Sequence, residues 1–425
     1  MAEVMNLDVA SLKSSESALS GCGPIRPEPE TATRSGLRHR IFECVRAAGQ
    51  VSRSDVAKQL KVSPASVTAL VGELLELGLL QEEGDTTRET TRGRPPVALS
   101  VRPDAGYVVG IKLSRTRHTA ILVDAAGQPL AHSSLEGLQR KRSLAQILTE
   151  TGRVLDDLLA QTGLARADLA CIGIGLPGMI DHAAGHMVWS PLLTETDRPI
   201  RALAEERFGV PVAVDNDANI VTLAELWFGI GRALPDFAVI TIEQGLGMGL
   251  VINHRLYRGA GGLGMELGHT KVQIDGALCA CGQRGCLEAY VADYALVREA
   301  STALDLPEAA PGGPDVALQR LFEQAKAGNE AARVIFRRAG RFLALGMSNV
   351  VNLFDPPLII LSGARMQYDY LYADEVLSEM DQLALDRNAG PQRVEIHAWG
   401  DLMWAHGAAA LALSEIADAM AQRQT

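Results

Sequence analysis

Three cysteines, Cys279, Cys281 and Cys286, fall within eight residues, and His269 stands ten positions ahead of the first. Thiolates and an imidazole are borderline-soft ligands, and four of them complete a closed tetrahedral shell around zinc. Gly282 and Gly285 supply the tight turns that aim successive sulfurs at one ion. Reduced, unligated thiols or a redox pair form the competing reading. A C-x-C-x4-C spacing with glycines inside and a histidine upstream is too ordered for either. The expectation is a structural Zn2+ held by His269, Cys279, Cys281 and Cys286. Two carboxylates bracket the cluster, Glu266 and Glu288, and the run DNDAN places Asn216 and Asp217 farther upstream.

The elements that must carry these residues alternate along the chain. Residues 108–112 and 120–123 are strand-like, 144–160 is helical, and 170–175 is a small-residue strand leading to Leu176-Pro177-Gly178. A strand over 210–214 and a helix over 219–228 follow, then a hairpin of 237–243 and 248–253 around Gly245-Leu246-Gly247. A long helix over 330–352, a strand over 358–361 and a helix over 404–417 complete the pattern. Alternation of this kind means an α/β body of packed layers.

The first hundred residues read differently. Residues 1–35 are rich in Ser, Pro and Glu without helical or strand period, and are expected to form a disordered lead-in. Leu37, Ile41 and Val45 then recur at helical spacing up to Gly49. Ser52 stands three residues before Asp55, a capping-box-like start to a short helix containing Val56, Ala57 and Leu60. Ser63 caps a third helix with Pro64 at its first position, and Val67, Leu70, Val71, Leu74 and Leu75 form its apolar face up to Gly78. Strands over 79–81 and 97–101 around a polar loop supply a wing, so 36–102 is expected to be a winged helix-turn-helix.

Its third helix presents Ala65, Ser66, Thr68, Ala69 and Gly72 outward, next to the Ser63 cap. Small and hydroxylated residues let a helix approach the floor of the major groove. The wing carries Arg92-Gly93-Arg94-Pro95, and two arginines spaced by glycine suit a narrow minor groove. A flexible loop that touches only phosphates, or a trihelical packing module with no nucleic-acid partner, are the plainer readings.

At 425 residues the chain has room for two or three domains, and 47% hydrophobic with 21% charged residues is ordinary for a globular protein. No apolar run approaches a membrane span, no secretion signal opens the chain, and Cys22, Cys44 and Cys171 are too scattered for a disulfide framework. A cytoplasmic protein with no membrane partner is expected. The net charge of −11 conceals an asymmetry: residues 36–102 hold 10 Lys and Arg against 8 Asp and Glu, and residues 103–425 hold 27 against 38. A mildly basic module on an acidic body can contact phosphates locally while the body resists non-specific sticking.

The succession NDAN, RGAGG, ELGH and CxCGxxGCLE resembles the ROK family (repressors, open reading frames and sugar kinases), over roughly the last three quarters of the chain. The winged module, with its GRP run, is similar to that of the ROK repressors. The resemblance implies a two-lobed actin-like sugar-kinase fold over 103–425 with a cleft between the lobes. It implies that Asn216, Asp217, Glu266, His269 and Glu288 contact a sugar, with His269 turning one ring nitrogen to zinc and the other to a hydroxyl. Family kinases cradle ATP phosphates and Mg2+ in an Asp-x-Gly-Gly-Thr turn, which here reads Lys112-Leu113-Ser114-Arg115-Thr116. A cation in place of that carboxylate opposes Mg2+, and lost glycines block close backbone approach to phosphate. Glu243 adds negative charge at the second phosphate turn, and the later nucleotide-side turn Ser362-Gly363-Ala364 is only partly glycine-rich. Asp217, the family's catalytic base, is present. The expectation is a sugar-responsive repressor that binds operator DNA as a homodimer or homotetramer, with ATP and Mg2+ unlikely ligands. An active ATP-dependent hexose or N-acylhexosamine kinase is the alternative, and a DNA-binding protein whose body only dimerises is a third reading.

Overall fold

A computed structural model describes residues 21–25, 34–83, 97–138, 140–304, 313–368, 374–385, 391–397, 400 and 402–422. The winged module is built on two side-chain caps. Ser52 Oγ accepts from the Asp55 N–H at 3.1 Å and starts helix Arg53–Gln59; Ser63 Oγ accepts from the Ser66 N–H at 3.1 Å and starts helix Pro64–Glu76. Each cap satisfies a backbone donor that the first turn leaves without a partner. These helices pack with Arg34–Ala48 over Ile41, Val45, Val56, Val67, Val71 and Leu74. An antiparallel sheet ordered Val51–Ser52, Ala98–Val101, Leu80–Glu83 closes the module. The tip of its wing, with Arg92 and Arg94, lies outside the described residues.

The body contains two five-stranded sheets of the same topology. In the first, the order is Val212–Asn216, Leu169–Leu176, Tyr107–Lys112, Arg117–Asp124, Pro129–Glu136. The last three strands pair antiparallel and the first two join them in parallel. In the second, Arg255–Tyr257, Leu246–Ile252 and Phe237–Ile242 pair antiparallel, and Ile359–Ser362 and Val394–His397 extend the sheet in parallel. Strand Pro129–Glu136 was not expected: its alternation carries Ser133 where an apolar residue would advertise a buried face.

Two helices cross between the sheets. Asp217–Phe228 leaves the first sheet and packs on the second, whereas Met403–Gln422 follows the second sheet and packs on the first. Their contact is backbone-close: a Cβ at Gly407 would lie 1.7 Å from the Ile220 carbonyl oxygen. Ala405, Ala408 and Ala409 of the last helix lie on Gly110 and Gly173 of the first sheet with the same closeness. One apolar core, including Val221, Trp227, Val239, Ile360, Ala408 and Leu411, thereby spans the junction. Burying each large apolar side chain there contributes about 1.5–3 kcal/mol before chain entropy is subtracted.

Within the expected lead-in, residues 1–20 and 26–33 lie outside the described residues, and Gly21–Ile25 departs from the expectation. Gly21–Ile25 is docked, and Cys22 is buried among Ala126, Trp227 and their neighbours in that junction core. Among the described residues no helix is long and apolar enough to cross a membrane.

Candidate functional site

Asn216 ends a strand of the first sheet and caps the crossing helix, so it and Asp217 sit where the two lobes meet. Asn216 Oδ1 accepts from the Ala218 N–H at 2.7 Å, and its Nδ2 donates to the Gly178 carbonyl at 2.7 Å. Its amide is therefore oriented from both ends. Burial pushes the Asp217 carboxyl up to about 6, with Lys112 opposing the rise and Glu243 adding to it.

Glu266 comes to the same place from the loop after Arg255–Tyr257. Its side chain is 41% exposed. Even so, loss of hydration pushes the carboxyl up to about 7, and the like charges of Asp217 and Glu288 add to the rise. Glu288 begins the short helix Glu288–Val291 and is buried. Its Oε2 accepts from the Leu246 N–H at 3.2 Å, and its Oε1 lies 3.3 Å from the Tyr294 hydroxyl and 3.5 Å from Cys279 Sγ. Three carboxyls gathered so that Glu266 feels the charge of the other two form a concentrated field of acceptors, well matched to a neutral ligand rich in O–H donors.

The His/Cys cluster stands directly behind. The donor atoms of His269, Cys279, Cys281 and Cys286 all lie within 4.8 Å of one another. Cys281 Sγ and Cys286 Sγ are 3.8 Å apart, and Cys279 Sγ is 3.7 Å from His269 Nδ1. A tetrahedron with sulfur at about 2.3 Å and nitrogen at about 2.0–2.1 Å requires edges of roughly 3.5–3.8 Å. The four side chains fit one metal ion, and a sulfur-rich set suits zinc. Gly285 sits at φ +75°, and a Cβ there would meet the Gln273 carbonyl oxygen at 1.7 Å, so the loop closes only with glycine. The other ring nitrogen of His269, Nε2, lies 3.9 Å from Glu266 Oε2. One histidine thus touches both the cluster and the carboxylate cleft.

Three residues that the sequence reading did not assign to the site hold this arrangement. Asp215 is fully buried and accepts from Asn216 N–H, Asn219 Nδ2, Arg258 Nε and Arg258 Nη2 at 2.7–2.8 Å. Arg258 opens the loop that delivers Glu266, so this ion pair joins the DNDAN run to that loop. Lys271 Nζ donates to Cys286 Sγ at 2.8 Å and to Gln283 Oε1 at 2.6 Å, offering the cluster a positive partner.

On the opposite side of Asp217, Lys112 Nζ lies 3.2 Å from Glu243 Oε2 and 3.5 Å from the centre of the Trp404 ring. Lys112 belongs to the first sheet and Glu243 follows a strand of the second, so the pair bridges the lobes. The Asp293 N–H reaches the Glu243 carbonyl at 3.4 Å, and Arg365, just past the Ser362-Gly363-Ala364 turn, is paired to Asp293 and Asp315. The positions expected to degrade a phosphate site are engaged with one another.

A family model described as the ROK family matches residues 108–415. The chain belongs to the ROK family. The xylose repressor of Caldicellulosiruptor bescii is 26% identical to this ROK protein over 86% of the chain and 92% of the relative. The DNA-binding transcriptional dual regulator NagC of Escherichia coli K12 is 26% identical over 81% and 84%. Among solved structures, a ROK family transcriptional regulator, a homologue of the E. coli MLC protein, superposes with a TM-score of 0.74 at 24% identity, covering 91% of this chain and 98% of that one. At that identity the likeness speaks for the fold, winged module included.

In that module, Ser63, Ala65, Ser66 and Thr68 are exposed on helix Pro64–Glu76, whereas Val67 and Leu70 are buried. Ser63 and Ser66 hydroxyls share a 2.8 Å hydrogen bond, and the Thr68 hydroxyl donates to the Pro64 carbonyl at 2.9 Å. The outward hydroxyls are thus partly committed to the helix and keep their remaining lone pairs for an outside donor.

Proposed function

We propose that this ROK protein is a sugar-responsive DNA-binding repressor of carbohydrate-metabolism genes. One observation carries this reading: the sugar side of the cleft keeps Asp217, Glu266 and Glu288 together, while Lys112 and Glu243 are paired across the side where a kinase needs magnesium and phosphate. Phosphoryl transfer depends on positioned phosphates and metal, and Asp217 without them only accepts a hydrogen bond. One relative's name as a xylose repressor, the other's as a DNA-binding transcriptional dual regulator, and the appended winged module support a DNA-binding regulator.

In the proposed mechanism, sugar hydroxyls donate to Asp217, Glu266 and Glu288, and His269 Nε2 and the Asn216 amide complete the ring of contacts. His269, Cys279, Cys281 and Cys286 would hold Zn2+, which when bound supplies a fixed charge that orients the imidazole and stiffens residues 261–288. Because the carboxylates come from both lobes, the sugar prefers one lobe arrangement over another, and that difference is the free energy available to change DNA affinity. Ser63, Ala65, Ser66 and Thr68 face the major groove, and Arg92 and Arg94 reach the minor groove. A homodimer or homotetramer presents two such modules to a palindromic operator.

A thermal-shift screen with D-xylose, N-acetyl-D-glucosamine, D-glucose and their phosphates tests the sensor, because a ligand raises stability by mass action. At least one sugar raises the midpoint, and Glu266→Ala abolishes the rise. No stabilisation by any member of the panel would remove the sugar role. The retained Asp217 favours the kinase as the second reading; a coupled assay showing sugar-dependent ATP turnover, lost in Asp217→Ala, would replace the sensor with it.

A further inference from the structure

The crossing helix Asp217–Phe228 has the proposed sugar ligands at one end, and its other end touches the winged module. Asp217 and Trp227 are ten residues apart on it, about 15 Å along a rigid, buried rod. At the far end the Gly23 N–H donates to the Trp227 carbonyl at 2.9 Å, and the Arg46 guanidinium lies over the Trp227 ring at 4.2 Å. The buried Arg232, in the turn that follows, donates through Nε to the Gly23 carbonyl at 3.1 Å and through Nη2 to the Ala47 carbonyl at 2.6 Å. The Ile25 N–H returns to the Arg232 carbonyl at 2.9 Å, and the Cys22 N–H donates to the Arg46 carbonyl at 3.1 Å. Arg46 and Ala47 end the first helix of the winged module. Gly21–Ile25 is therefore a strap threaded between that helix and the end of the crossing helix.

We infer that this strap, clamped by Arg232, is the joint through which occupancy of the cleft is felt by the winged module. The covalent connection near Val101–Pro103 alone is a single pivot; a module tethered at one point swings freely. The first helix also packs on helix Met403–Gln422, and the strap adds a hydrogen-bonded attachment that ties the module's orientation to the end of the crossing helix. A displacement of helix Asp217–Phe228 along its axis moves Trp227 and the turn carrying Arg232, and every hydrogen bond named above connects that motion to the strap or to Arg46 and Ala47. The fit leaves no slack: a Cβ at Gly21 would fall 1.9 Å from the Arg46 carbonyl oxygen and 2.4 Å from the Gly49 nitrogen. The inference rests on the sensor reading for its ligand but on the observed contacts for its geometry.

Gly21→Ala in the whole chain tests it, since Gly21 lies outside the apolar cores and its added methyl would meet the Arg46 and Ala47 carbonyl oxygens and the Gly49 nitrogen, pushing the strap off the end of the first helix. The first readout is the iodoacetamide alkylation rate of Cys22 by mass spectrometry, with the buried Cys171 of the body as the reporter of global opening. In the unaltered protein both thiols react slowly; in Gly21→Ala, Cys22 reacts at least tenfold faster and Cys171 does not change. Cys22 of the unaltered protein reacting as fast as free glutathione would overturn the docked strap. The second readout is fluorescence anisotropy with a DNA fragment selected by the unaltered protein from a random pool, in the presence and absence of D-xylose or N-acetyl-D-glucosamine. The unaltered protein changes its DNA affinity at least tenfold with the sugar that raises its thermal midpoint. Gly21→Ala, and Arg232→Ala beside it, still bind that sugar and that DNA, but the ratio falls to within twofold of one. A full ratio retained in Gly21→Ala with Cys22 exposed would overturn the joint and leave the sensor standing. The absence of any ratio in the unaltered protein would overturn the sensor reading, and the joint with it.

Discussion

Replacing Arg258 by alanine isolates the contribution of one buried ion pair to the whole cleft. Asp215 is fully buried, and Arg258 supplies two of its four close donors, at 2.7 and 2.8 Å. Removing the cation leaves a carboxylate inside the protein with the Asn216 N–H and Asn219 Nδ2 as hydrogen-bond donors and the His182 ring nitrogen 3.9 Å away. Breaking a buried pair in this way costs about 3–5 kcal/mol. The Arg258 side chain is 23% exposed, so water can approach the vacated position and the cost falls to about 2–3 kcal/mol. At roughly 2–4 °C per kcal/mol for a body of this size, the thermal midpoint drops by about 4–12 °C. The measurement is a double-mutant cycle by urea unfolding with Arg258→Ala, Asp215→Asn and the pair together. Because the neutral amide removes the orphaned charge, the double variant is more stable than the sum of the singles predicts, by more than about 1 kcal/mol. Additive singles, or an Arg258→Ala cost below about 1 kcal/mol, would refute the assignment of this pair as the link between the DNDAN run and the Glu266 loop.

Three further outcomes follow from the same geometry. Elemental analysis is expected to find stoichiometric zinc in the unaltered protein and none in Cys286→Ser, whose thermal midpoint falls by more than about 5 °C; unchanged metal content would remove Cys286 from the proposed ligand set. Asp217 carries a carboxyl raised from 3.8 to about 6, so the folded state holds a proton that the unfolded chain has released. Stability from this group is full below about pH 3.8 and is lost as pH rises through about 6, by up to about 3 kcal/mol, and Asp217→Asn flattens that slope; superimposable pH profiles would sink it. Leu70 is buried in the winged module, so Leu70→Ala costs about 2–5 kcal/mol there and abolishes DNA binding while sugar binding by the body is retained; joint loss of both would show that the two parts do not respond separately.

Much of the winged module was legible because its signals are local. Ser52 and Ser63 announce their helices a few residues ahead, and the apolar stripe Val67, Leu70, Val71, Leu74 has only one way to be buried. The His/Cys cluster was legible for a different reason: three of its four ligands lie in one short loop, and glycines mark the turns. The cleft was readable only as residue types. Lys112 and Glu243 are 131 positions apart and Asp215 and Arg258 are 43 apart, so sequence could flag a misplaced lysine and glutamate without showing that each answers the other. The carboxylates Asp217, Glu266 and Glu288 entered through family resemblance, and the geometry adds that they share one electrostatic environment. The docked segment Gly21–Ile25 was hidden by composition, since a glycine-rich stretch beside prolines has no period, and its partners Trp227 and Arg232 are distant in sequence. Strand Pro129–Glu136 was hidden by Ser133, whose burial depends on a hydrogen bond to Asp157 that no local pattern signals.

The exchange of helices between the two sheets sets a timetable for synthesis. Strands Tyr107–Lys112 and Leu169–Leu176 leave the ribosome early, yet the surface that covers them is helix Met403–Gln422, made far later. Until that helix has been made, Gly110 and Gly173 face water instead of Ala405 and Ala408, and the first lobe cannot complete its interior. Chains terminated before it would therefore emerge with an uncovered apolar sheet, a natural handle for chaperones and proteases, and only copies that include this helix would acquire a closed body.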